Sequence, residues 1–115
     1  MLDWNSYKAE LMKAIPEFAR LAPESVKGYL TLSNAHAKDS LLGEKTRQLI
    51  SLAVAVTTRC DGCIVIHTEA ALKAGATREE IAETLGVAMA MNAGAAFVYS
   101  MRTMDAANAL TAAKP

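Results

Sequence analysis

The stretch EKTRQLISLAVAVTTRCDGCIVIHTEAALKAG, Glu44–Gly75, decides the fold. Its first half holds Leu49, Ile50, Leu52, Ala53, Val54, Ala55 and Val56 with no alternation at period two. Apolar side chains there cover almost the whole circumference of a helix, the mark of one buried on several sides. This predicts a helix from Glu44 to about Thr58. A second runs from near Cys60 to Ala74 and stops at Gly75, placed as a C′ glycine.

Working outward, the rest also reads as helix. Alanine makes up about a fifth of the chain, and β-branched residues are sparse outside Leu49–Thr58. Downstream, Thr77 and Glu80 form a capping box that opens a helix to about Met91, and Asn92 offers a cap for another over Ala93–Ala109, before a frayed tail ending at Pro115. Upstream, a helix over Ser6–Ile15 is interrupted by Pro16, with a further turn through Phe18 and Leu21. Pro23 opens another to Lys38, and Ser40–Gly43 is a loop. The expectation is all-α, about six helices, one domain over residues 1–115.

Composition removes several function classes. The 115 residues carry 12 Lys+Arg against 12 Asp+Glu, a zero net charge that argues against nucleic-acid binding. With 52% hydrophobic and 21% charged residues the chain is not disordered. No signal peptide is visible at Met1–Asn5, and the longest apolar stretch, Leu49–Val56, falls short of the roughly 20 residues that span a bilayer. The expectation is a cytoplasmic protein with no membrane association. The Glu44–Thr58 helix and the Val87–Tyr99 region carry more apolar surface than one small bundle hides, which predicts a homo-oligomer.

Two cysteines are too few for a disulfide scaffold, but Cys60-Asp61-Gly62-Cys63 puts them three apart, and His67 follows Cys63 by four. At about 100° per residue all three side chains share a sector of about 60°, and Cys63 and His67 are in direct reach. A helix N-terminus and an adjacent imidazole both favour the thiolate, the nucleophilic form of cysteine. Arg59 next door adds positive potential. Position divides the labour. Cys63, in reach of His67, attacks an electrophile such as a peroxide, and Cys60 resolves the sulfenic acid as a disulfide. Two other readings use these residues: a pair of buried thiols beside a polar histidine, and a zinc site, which lacks a fourth ligand. A c-type haem is excluded because Ile64 stands where Cys-x-x-Cys-His needs its histidine. The balance lies with redox chemistry, with no metal or separate cofactor.

These residues resemble a known family. Lys45-Thr46-Arg47-Gln48-Leu49-Ile50, Arg59-Cys60-Asp61-Gly62-Cys63-Ile64 with His67, and Ala74-Gly75-Ala76-Thr77 are similar to the carboxymuconolactone decarboxylase family, in its AhpD-like alkylhydroperoxidase branch. The match covers about residues 41–104. The resemblance implies a helical-hairpin core and assembly as trimers or, for a chain of this length, a hexamer built as a trimer of dimers. It also implies thiol peroxidase activity, with Cys63 peroxidatic, Cys60 resolving and His67 in a proton relay. The reductant it implies is a thiol, lipoylated or thioredoxin-like, and the substrate a hydroperoxide. One departure matters. The family relay uses a glutamate with eleven residues between it and the first cysteine, and that position here is Gln48, which hydrogen-bonds but accepts no proton. Glu44, one turn earlier on the same face, is the candidate substitute, through a water or across a subunit boundary. Other outcomes are a redox-sensing or structural subunit with little turnover, or a cysteine-independent decarboxylase-like enzyme.

The remaining candidates read as ordinary structure. His36 is a surface or helix-end residue, and Met89, Met91, Met101 and Met104 are core or interface before they are a substrate pocket. Tyr99 is a hydroxyl donor without a placed partner. Trp4 and Tyr7 anchor the first helix on a neighbour, Asp61 is a first-turn acid, Gly62 permits close approach, and Glu79, Glu80 and Glu83 form a solvated face.

Overall fold

The computed structural model describes residues 1–112, and among them lie five helices and no strand. At the centre is a hairpin of α3 (Glu44–Thr58) and α4 (Asp61–Lys73), as the sequence predicts. Only Arg59 and Cys60 join the two, and Arg59 makes the reversal in the left-handed region at φ 55°. Small residues let the helices approach. Leu52, Ala71 and Ala76 form the buried cluster, with Leu49 and Ile81 packed against it.

α4 ends through a Schellman motif. Gly75, at φ +91°, donates to the Leu72 carbonyl, and Ala76 donates to that of Ala71. The capping box follows: Thr77 Oγ1 accepts from the Glu80 amide and Glu80 Oε1 from the Thr77 amide, both at 3.0 Å. Glu80 also pairs with Lys45 at 2.8 Å, chiefly for which its carboxyl is held below the ordinary range. The face expected to be solvated therefore contributes a tie from α5 (Arg78–Ala112) back to α3.

α5 (Arg78–Ala112) is one helix of 35 residues where the sequence suggests two. Asn92 does not cap a sixth helix. Its Nδ2 donates to the Ala88 carbonyl at 2.7 Å, inside the helix, and the surrounding alanines carry the helix on. The frayed end expected at Pro115 lies outside the described residues. α1 (Trp4–Leu21), capped by Asp3, likewise runs through Pro16 without interruption. There the missing N–H removes one bond, that to the Met12 carbonyl, and the turns on either side hold. α2 (Pro23–Ser33) stops short of the expected Lys38. Asn34 caps it, its Nδ2 on the Leu30 carbonyl, and His36 then sits in a turn at φ 62° beside Asp39. Arg47 reaches from α3 to hold that turn by the Ala35 carbonyl at 2.8 Å.

α1 packs on α2 and on the start of α4, while α5 packs on α3. Gly62 allows the close approach of α1 to α4, since a Cβ there would lie 3.1 Å from Leu11 Cδ2 and 3.7 Å from Tyr7 Oη. Trp4 stacks edge-on against Tyr7 within α1, and Tyr7 Oη lies beside Gly62 of α4. Lys8 of α1 pairs with Glu69 of α4, which also binds Lys73 at 2.8 Å. Lys73 first, then Lys8, holds the Glu69 carboxyl down from 4.5 to about 2. A depressed carboxyl contributes stability above its ordinary value and loses it as pH falls through the folded one. Trp4, the single tryptophan, lines the same groove as Lys8 and Glu69 and reports this contact. Between pH 4.5 and 2 the wild-type emission is expected to shift as α1 loosens. A matched titration of Glu69→Gln lacks that step.

The chain is elongated. Its radius of gyration is 19.8 Å with extents of 64 × 38 × 35 Å, against about 13 Å for a compact domain of this length. The excess lies in α5, about 52 Å long. From Met89 onward nearly every residue of it is exposed, including Met91, Phe97, Val98, Tyr99, Met101 and Met104. By length and composition α5 is also the one described helix apolar enough to cross a membrane, a feature the sequence reading did not single out.

Candidate active site

Every side chain of the cysteine constellation is placed by the α3–α4 hairpin. Cys60 is the N-cap of α4, with extended backbone, so it stands just outside the helix that the sequence reading starts near it. Its Sγ accepts from the Cys63 amide at 3.1 Å, the position a capping oxygen usually takes. The two cysteines are joined as a disulfide with Cα atoms 5.2 Å apart. Cys63 lies within the first turn of α4, among the helix's unpaired N–H groups, where the field favours a thiolate once the bond is reduced. His67 follows one turn on.

His67 is held from α3. Its Nδ1 lies 2.6 Å from Gln48 Oε1, and Gln48 Nε2 donates to Glu44 Oε1 at 2.7 Å. The five named site residues are thus brought into one arrangement: the disulfide, His67, Gln48 behind it, and Glu44 behind Gln48. Within the chain, Glu44 connects to His67 by way of the Gln48 amide. Arg59 is exposed on the hairpin turn, and Asp61 remains a first-turn acid of α4.

The disulfide opens into a cavity of about 640 Å³ that the sequence reading did not locate. Cys60, Cys63 and His67 form its floor; Leu11, Ile15 and Phe18 of α1 and Val26, Tyr29 and Leu30 of α2 form its walls. The i, i+4, i+7 spacing of Leu11, Ile15 and Phe18 was the available signal, but nothing local says which helix that stripe faces. A second cavity of about 500 Å³ meets His67 with Gln48, Glu44, Arg47, Ser33, Asn34 and Ser51 in its lining. His67 therefore lines both an apolar cavity holding the sulfurs and one of mixed polar and apolar lining. Met89, Met91, Met101 and Met104 line neither, and Tyr99 lies on exposed α5 under Arg102, 5.0 Å from its ring. Among the described residues no group of three His, Cys, Asp or Glu side chains is placed to hold a metal ion.

Comparison with known proteins identifies the family. The model of the carboxymuconolactone decarboxylase family matches residues 23–106, reaching back over α2, beyond the span the motifs cover. An uncharacterised protein of Haemophilus influenzae is 45% identical over 104 residues, covering 90% of this chain and 92% of its own. An uncharacterised protein of the cox locus of Paracoccus denitrificans is 37% identical over 91 residues, covering 79% and 82%. Among solved structures, an apo crystal structure of a carboxymuconolactone decarboxylase family protein from Legionella pneumophila superposes with a TM-score of 0.72 at 35% identity, covering 90% of this chain and 92% of that one. The chain belongs to the carboxymuconolactone decarboxylase family, and it carries the cysteine pair and histidine that mark the family's AhpD-like members.

Proposed function

We propose that the chain is a thiol-dependent peroxidase that reduces organic hydroperoxides at Cys63. The observation that carries this reading is the shared cavity: both sulfurs and His67 open onto one apolar space beside a helix N-terminus. In the reduced protein His67 takes the Cys63 proton. The thiolate attacks the hydroperoxide; an S–O bond forms, the O–O bond breaks, and the departing alkoxide takes the proton back from His67 to leave as an alcohol. Cys60 then attacks the Cys63 sulfenic acid. The S–S bond forms, the S–O bond breaks, and the oxygen leaves as water. Two thiols and one hydroperoxide thus give the disulfide, one alcohol and one water.

An external dithiol returns the pair to the reduced state. A lipoylated or thioredoxin-like protein suits the exchange, because such a partner presents two thiols. The apolar walls favour an alkyl hydroperoxide over hydrogen peroxide. The working state is a homo-oligomer in the cytoplasm, a hexamer by family resemblance, since α5 leaves an apolar face that a second copy covers.

Gln48 supports a second reading, in which the disulfide forms but turns over slowly because no carboxylate among the described residues touches His67. The two are separated by following hydroperoxide loss with a small dithiol in excess. Sustained consumption supports the peroxidase. A single stoichiometric turnover that then stops supports a redox-sensing subunit.

A further inference from the structure

We propose that Glu44 is a positioning residue that sets the tautomer of His67 through the Gln48 amide. The inference deepens the peroxidase reading and rests on it for its functional meaning. An amide side chain is ambiguous, since its oxygen accepts and its nitrogen donates. Whichever end faces His67 decides which ring nitrogen carries the proton. Glu44 removes the ambiguity. Its carboxylate only accepts, so the Gln48 NH₂ turns toward it, as the 2.7 Å contact shows. The amide oxygen is then presented to His67 Nδ1 at 2.6 Å, and Nδ1 donates. The proton sits on Nδ1, and Nε2 is the nitrogen left to accept one. With the amide reversed, its NH₂ would meet Nδ1 and its oxygen would meet the carboxylate, two acceptors face to face. Glu44 thus does by orientation what a directly bonded carboxylate does by charge, and it moves no proton itself.

Glu44 is also the first-turn acid of α3, which by itself accounts for a helix-stabilising role. The test separates the two. The imidazole nitrogens of the full chain in its disulfide form are read by nitrogen-detected NMR, where the two histidines, His36 and His67, give distinct signals. Wild type is expected to show His67 protonated at Nδ1, and Glu44→Ala to shift it toward the Nε2–H form, with His36 unchanged. In a Gln48→Glu background residue 48 accepts whichever way it turns, so adding Glu44→Ala leaves His67 protonated at Nδ1. The proposal is overturned if Glu44→Ala leaves the tautomer unchanged in the native background, or shifts it equally in both. The readout needs no peroxide. A protein inactive toward hydroperoxides that still shows the tautomer response loses the proposed function and keeps this inference.

Discussion

Cys63→Ser brings hydroperoxide consumption down to the rate seen without protein, whatever the reductant. The reason is positional. Cys63 is the cysteine inside α4's first turn, one helical turn from His67, whereas Cys60 is the N-cap, its sulfur receiving the Cys63 amide. A hydroxyl is a far weaker nucleophile than a thiolate, and His67 cannot compensate at neutral pH. Cys60→Ser behaves differently. Without added thiol it consumes about one equivalent of hydroperoxide and then stops, with Cys63 held as a sulfenic acid that dimedone labels, and an added monothiol captures it as a mixed disulfide. Equal turnover by both single variants would contradict the assignment of roles.

The second large effect lies far from the sulfurs. Val87, Met91, Val98 and Met101 are 59%, 68%, 67% and 51% exposed and recur at i, i+4, i+11 and i+14 along α5. That spacing forms one seam of the kind helices bury against each other. In the proposed oligomer a second copy covers it. Val98→Asp would place an unpaired carboxylate in that seam, a burial that costs several kcal/mol unless the interface opens. Sedimentation is expected to show wild type as a multi-subunit species and Val98→Asp as a smaller one, with the chain still predominantly helical by circular dichroism. A wild-type chain that sediments as a monomer at micromolar concentration would remove the oligomer from the account.

Legibility in the sequence followed the range of the forces involved. The bounds of α3, the glycine at 75 and the Thr77–Glu80 box were readable because each is made by neighbours within one helical turn. The unbroken course of α5 was not. Asn92 looks like a cap, and only in place does its side chain bond back to Ala88. Pro16 misled in the same way, since a missing N–H costs one bond while the turns around it persist. At the site, the shared face of Cys60, Cys63 and His67 follows from helical spacing. The link from Glu44 through Gln48 to His67 does not, because which residue of α3 meets His67 depends on how α4 packs against it. The cavity walls belong to α1 and α2, whose apolar stripes carry no address until Gly62 admits Leu11 and Tyr7 against α4.

The central claim is that Cys63 and Cys60 together reduce a hydroperoxide. Its most direct measurement is a free-thiol titration of the reduced protein before and after one equivalent of an organic hydroperoxide, with the alcohol product quantified in parallel. The account predicts that both thiols per chain disappear, one alcohol forms, and a dithiol restores both thiols. Two titratable thiols remaining after exposure, with the hydroperoxide intact, would contradict it.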